Sequence, residues 1–139
     1  VTFRRHRLLP HTADLRVEVV APDVATLCAR CVEALFSLVT DRRRVRPREE
    51  RVARVEGDTD EERLFLLLRA ALGFLAVDRF LARTAHVTME GRHAAMTVRG
   101  EALDASRHAL TREIKAVTAH ALTVARSPRG VLARFVVDV

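Results

Sequence analysis

The spacing of apolar residues changes once early in the chain. Leu15, Val17 and Val19 alternate with Arg16, Glu18 and Val20, which predicts a strand over 15–21 with one buried face. Pro22-Asp23 breaks it, and Asp23 is placed to cap a helix. Val24, Leu27, Cys28, Cys31, Val32, Leu35, Phe36 and Val39 then recur at helical spacing. That stripe predicts an amphipathic helix ending near Thr40-Asp41. Upstream, Phe3 to Leu9 reads as a short extended segment closed by Pro10, and His11 to Asp14 as a polar loop.

A second helix is predicted from Asp60-Glu61-Glu62, whose acids suit the positive end of a helix. Its buried stripe is Leu64, Leu67, Leu68, Ala71, Leu72 and Leu75, flanked by Phe65 and Phe74. Val52 to Glu56 reads as a strand ahead of it. From residue 84 the period becomes two. Ala85, Val87 and Met89 lead to a turn at Gly91-Arg92, and Ala94, Met96 and Val98 return, which predicts a hairpin. His86 and His93 are expected to face each other across it, at the surface. Gly100 to Glu113 is looser and polar. A second hairpin, Lys115 to Ala125 and Val131 to Val139, turns across Ser127-Pro128-Arg129-Gly130, with His120 half-buried. The order predicts one α+β domain over 1–139: a mostly antiparallel sheet with two helices packed on one side. A strand–helix–strand echo over 15–56 and 52–90 raises duplication.

Composition adds one oddity. Of 24 basic residues in the 139, 23 are Arg and one is Lys115; Ile114 is the single Ile, and Asn, Gln, Trp and Tyr are absent. A coding bias towards Ala, Val, Leu and Arg explains most of this. A lone Lys surviving such a bias points to a need for an ammonium there. The net charge of +6 and pI near 11.0 permit nucleic-acid contact without establishing it, because few aromatics are left for base stacking. Arg42, Arg43, Arg44, Arg46, Arg48 and Arg51 form the densest basic cluster. It reads as a solvated connector, with an RNA-binding or chaperone-like module as the alternative. No apolar run is long enough to span a membrane. Residues 1–20 lack a signal-peptide layout, so a cytoplasmic protein is expected. Cys28 and Cys31 lie mid-helix without a second pair, which favours core packing over zinc or redox chemistry.

Two acids stand out. Asp14 sits where a loop enters a strand, and Asp138 lies inside the apolar string Phe135-Val136-Val137-Asp138-Val139. A carboxylate in such a string is costly unless paired or metal-bound. Both acids, with main-chain or terminal oxygens of Val139, are hard ligands suited to Ca²⁺ or Mg²⁺. On spacing alone the simpler reading is that Asp14 caps a turn and Asp138 pairs with an Arg. No phosphate loop, nucleophile elbow or zinc-protease motif occurs.

Three segments together resemble the archease family: His11-Thr12-Ala13-Asp14, Glu113-Ile114-Lys115-Ala116-Val117-Thr118, and Val136-Val137-Asp138-Val139, with Arg107-His108 ahead of the second. Ala119 departs from the family, where an aromatic often precedes the position of His120. The resemblance implies an accessory protein, not an enzyme. Its partner would be an RtcB-type RNA ligase, which it helps through guanylylation and multiple turnover in tRNA splicing and RNA repair, touching RNA only through the ligase. It implies a divalent cation, Ca²⁺ with Mg²⁺ or Mn²⁺ as alternatives, on Asp14, Asp138 and Val139. It marks Lys115 as the essential ammonium and adds His11, Glu113 and His108 to the candidate site.

Overall fold

The computed structural model describes residues 2–5 and 14–139, with side chains from residue 14 onward. His11, Thr12 and Ala13 lie outside the described residues. In chain order the elements are β1 (Thr2–Arg5), β2 (Asp14–Ala21), α1 (Val24–Val39), a 3₁₀ turn (Arg42–Arg44), β3 (Glu49–Glu56), α2 (Asp60–Asp78), β4 (Phe80–Glu90), β5 (His93–Ala102), β6 (Ala116–Ser127) and β7 (Gly130–Asp138).

The α+β class is observed, and the strands divide into two antiparallel sheets. One has the order β1-β2-β7-β6 and the other β3-β5-β4. Both helices touch strands of both sheets, so one core serves both sheets of the described residues. Alternation along a strand tells which face is buried, but not which sheet the strand joins; that is why a single sheet was expected. The strand–helix–strand echo falls on β2–α1–β3, which spans the two sheets, and on β3–α2–β4, which stays within one.

The helix ends follow local chemistry. Asp23 accepts the Thr26 N–H at 2.8 Å, and Thr59 accepts the Glu62 N–H at 3.1 Å, each satisfying a donor the helix leaves free. Every member of the predicted α1 stripe is buried, Cys28 and Cys31 included. Burial pushes the Cys28 thiol up to about 12 and raises Cys31 as well, so both are inert packing residues. On α2, Leu64, Leu67, Leu68 and Ala71 are buried, whereas Leu72 and Leu75 are only half-covered. No helix of the described residues is long and apolar enough to cross a membrane.

Strand boundaries depart from expectation where the ladder is irregular. β4 starts at Phe80, not 84, because a register shift between Ala82 and Thr84 hides the alternation. β3 starts at Glu49 because its pairing with Gly100 and Arg99 outweighs the weak strand preference of two glutamates. His93 pairs with Glu90 and His86 with Thr97, so the two histidines do not face each other. A second shift between Thr118 and Thr123 leaves His120 exposed rather than half-buried.

Gly100 sits against β4 so closely that a Cβ would stand 1.8 Å from the Leu81 carbonyl oxygen. Nothing there can yield, since the neighbour is backbone. Gly100→Ala is expected to lower stability by about 1–3 kcal/mol through forced strand displacement. Urea unfolding followed by far-UV circular dichroism measures it, and an unchanged midpoint would contradict this packing.

Candidate functional site

The first sheet brings its three most distinctive residues to one end. β7 is a central strand, flanked by β2 and β6. Asp14, the first residue of β2, pairs directly with Asp138, the last of β7. On the other side Ala116, the first of β6, also pairs with Asp138. Just before it, the Lys115 N–H donates to the Asp138 carbonyl at 2.8 Å. Asp138 thus stands between Asp14 and Lys115. Directly paired residues of an antiparallel ladder project from the same face, so the two carboxylates meet on the outward side of the sheet. The opposite side carries Leu15 and Val137, both in the core.

The electrostatics follow from that pairing. A hydrogen bond with Asp14 raises the Asp138 pKa, burial and the Asp14 charge add to it, and the Lys115 ammonium opposes them. Two carboxylates forced together favour a shared proton or a bound cation. Among the described residues neither aspartate forms an ion pair with an Arg, so the arginine partner considered for Asp138 is not found. The donor set is all hard oxygen, which fits a Ca²⁺-like ion better than zinc. Among the described residues no third His, Cys, Asp or Glu joins them in a ligating arrangement. Val139 is half-exposed beside Asp138, and main-chain oxygen or water would have to complete a coordination shell. Lys115 and Glu113 are both exposed, on either side of buried Ile114.

His108 lies elsewhere in the arrangement. It is buried, and its partners are Glu101 and Asp104. Its Nδ1 accepts the Asp104 N–H at 2.9 Å, so the proton sits on Nε2, which donates to Glu101 Oε2 at 3.0 Å. Glu101, itself 4% exposed, also accepts the Arg46 N–H at 2.8 Å and Arg107 Nη2 at 2.5 Å. Burial alone would raise the Glu101 pKa, but these three donors outweigh it and bring the carboxyl to about 2. This network ties the 103–115 segment, which ends in Lys115, to β5. Further along, the Thr111 N–H donates to the Val39 carbonyl, and Arg112 donates to the Leu38 carbonyl at 2.9 Å. The candidate ammonium therefore stands on an anchored segment.

Glu101 is the residue the sequence reading passed over. The one signal in the sequence was an acid immediately after Gly100; in the structure the alternation of β5 breaks there into two consecutive buried positions.

The basic cluster is partly spent on the fold. Arg42 donates to the Arg83 carbonyl and to Ser37, Arg43 pairs with Asp41 at 3.0 Å, and Arg51 lies 4.7 Å over the Phe80 ring beside Asp78. Half of the six guanidiniums thus have intramolecular work.

The Archease protein family (MTH1598/TM1083) matches residues 6–139. The chain is 34% identical over 134 residues to an archease of Methanopyrus kandleri, covering 94% of this chain and 96% of that protein. It is 29% identical over 141 residues to an archease of Thermococcus gammatolerans, covering 98% and 99%. Among solved structures, protein 1598 of Methanobacterium thermoautotrophicum superposes with a TM-score of 0.74 at 20% identity, over 99% of this chain and 98% of that one. An archease of Thermotoga maritima, described as a possible chaperone, gives 0.65 at 19% identity over 96% and 97%. These two likenesses speak to the fold.

Proposed function

The chain belongs to the archease family, and from that premise we propose that it is a cytoplasmic accessory protein, not an enzyme, that activates an RtcB-type RNA ligase. The working part is the sheet end that carries Asp14, Asp138 and Lys115. One observation supports this reading above others: β7 holds Asp138 in direct register with Asp14 on one side and bonded to the Lys115 backbone on the other. Residues 124 positions apart are thereby fixed within one small, solvent-facing patch.

Each residue has a physical task. Asp14 and Asp138 would hold a hard divalent cation, with Val139 oxygen and water completing its shell. That cation, Ca²⁺ or else Mg²⁺ or Mn²⁺, would supply Lewis-acid charge beside a phosphate. Lys115 offers a compact, mobile ammonium to the same phosphate, in the place where charge develops during transfer of a nucleotidyl group to the ligase. An Arg would substitute poorly, because its planar fork needs bidentate geometry and more room. Glu113, two residues before Lys115, would shape the same patch, whereas His108 acts through the buried network. RNA would be reached only through the ligase, in tRNA splicing or RNA repair.

The test is multiple-turnover ligation of a 3′-phosphate RNA to a 5′-hydroxyl end, with ligase limiting. The protein is expected to raise product well beyond one equivalent per ligase. Product that stops at the same level with and without it would remove this reading.

A further inference from the structure

The uncovered end of α2 has a shape that the sheet-end reading does not use. Leu72 and Leu75 leave the core stripe half-exposed there and, with Val39 and Ile114, floor a cleft of about 510 Å³ under the 103–114 segment. A smaller depression of about 300 Å³ continues it past Lys115, with Phe65 and Ala116 on its walls. Leu72 lines both, so the two depressions adjoin and together make a furrowed strip beside Ile114 and Lys115. Leu110 stands on its edge with 52% of its surface exposed and extends the apolar floor out to the rim, so the exposed leucine belongs to a contiguous apolar surface rather than standing alone.

The rim has a sign. Arg69, Arg79, Arg112 and Lys115 border the furrow against a single acid, Glu113. Arg79 closes α2 in the left-handed conformation, at φ 52°. Its carbonyl accepts the Leu103 N–H at 2.7 Å, which fixes this rim residue to the segment opposite. The floor of the main cleft is aliphatic and holds no aromatic ring. An aliphatic floor receives apolar side chains, whereas single-stranded RNA needs stacking platforms.

Resting on the reading that a ligase docks at the Lys115 end, we propose that this furrow receives an acidic segment of that ligase, seating one or two of its apolar side chains between Leu72, Leu75 and Leu110 while its carboxylates meet Arg69 and Arg79. The furrow gives affinity and the sheet end gives activation. The two are continuous through Ile114-Lys115, so docking of the segment brings Lys115 to the ligase in a fixed orientation. Arginine rims around an apolar centre are a common composition for such contacts.

Affinity for the ligase, measured by calorimetry at two salt concentrations, separates these roles. Leu110→Glu and Arg79→Glu are exposed changes that leave the core intact, verified by an unchanged melting temperature. Each is expected to weaken binding roughly tenfold or more. Turnover at saturating variant is expected to stay at the wild-type level, and wild-type affinity to fall with salt. If both variants bind as tightly as wild type, the furrow is not the docking site, while the sheet-end reading stands. If the wild-type protein does not bind the ligase at all, both readings fall together. If it binds a 3′-phosphate RNA alone, and Arg79→Glu abolishes that, the occupant is nucleic acid and the proposal is overturned.

Discussion

Replacing Glu101 by Ala is expected to lower the unfolding free energy by about 3–5 kcal/mol, the usual cost of breaking a buried charge pair from one side. Three donors converge on this carboxylate: the Arg46 N–H, Arg107 and His108. Without it, the buried His108 Nε2–H and the Arg46 N–H lose their acceptor, and Arg107 keeps only the longer contact to Asp104 at 3.5 Å. A domain of this size has about 5–15 kcal/mol in all, so the variant would lie near the edge of folding at moderate temperature. Urea unfolding against wild type gives the difference. A change below about 1 kcal/mol would mean that the network is peripheral.

The same carboxyl gives the protein an acid-sensitive window. Folding moves it from the ordinary 4.5 down to about 2, so the unfolded chain binds the extra proton first. Its contribution is therefore complete above pH 4.5 and drains away as the pH falls towards 2. The shift corresponds to about 3 kcal/mol. Glu101→Gln keeps an acceptor for the Arg46 N–H but cannot titrate. Its stability is expected to vary less over that window than that of the wild type, with both measured by urea unfolding at stepped pH.

The second large effect concerns the sheet end. Lys115→Ala is expected to cut stimulation of the ligase roughly a hundredfold, the scale on which a single preorganised charge acts on a transferring group. Lys115→Arg is expected to recover only a small part of it. Asp14→Asn with Asp138→Asn should act in the same direction and also abolish Ca²⁺ binding seen by calorimetry. Lys115 and Asp14 are exposed and Asp138 is partly exposed, all at or beside strand ends, so melting temperatures should stay close to wild type. Loss of stimulation accompanied by unfolding would point instead to a structural role for this patch.

How much of this could be read from the chain alone differs by feature. The α1 stripe was fully legible, because every apolar residue at helical spacing between Val24 and Val39 is buried. The hairpins were legible from Gly91-Arg92 and Ser127 to Gly130. The start of β4 was not, because the bulge at Ala82–Thr84 removes the period of two where the strand enters the core. The division into two sheets was not, because alternation carries no information about partners. Leu72 and Leu75 read as core because helical spacing cannot say where the packed layers end. Glu101 was missed for a related reason: it falls in the polar stretch from Gly100, and an acid there reads as solvent-facing until β5 is seen to run on to Ala102 and its three donors, Arg46, Arg107 and His108, are seen around it. Asp14 and Asp138 stood out individually as acids at strand ends. Their meeting rests on the β2–β7 register, which no local pattern encodes; the family resemblance pointed to it, and the ladder pairs them directly.

The central claim is that Lys115 and the two aspartates act together on nucleotidyl transfer to the ligase. Its most direct test is the time course of the covalent ligase–guanylate adduct, followed with labelled GTP, in the presence of wild-type protein, Lys115→Ala, or the Asp14→Asn/Asp138→Asn pair. The account predicts that wild type accelerates adduct formation and that both variants leave it near the rate of ligase alone. Equal acceleration by all three proteins would contradict it.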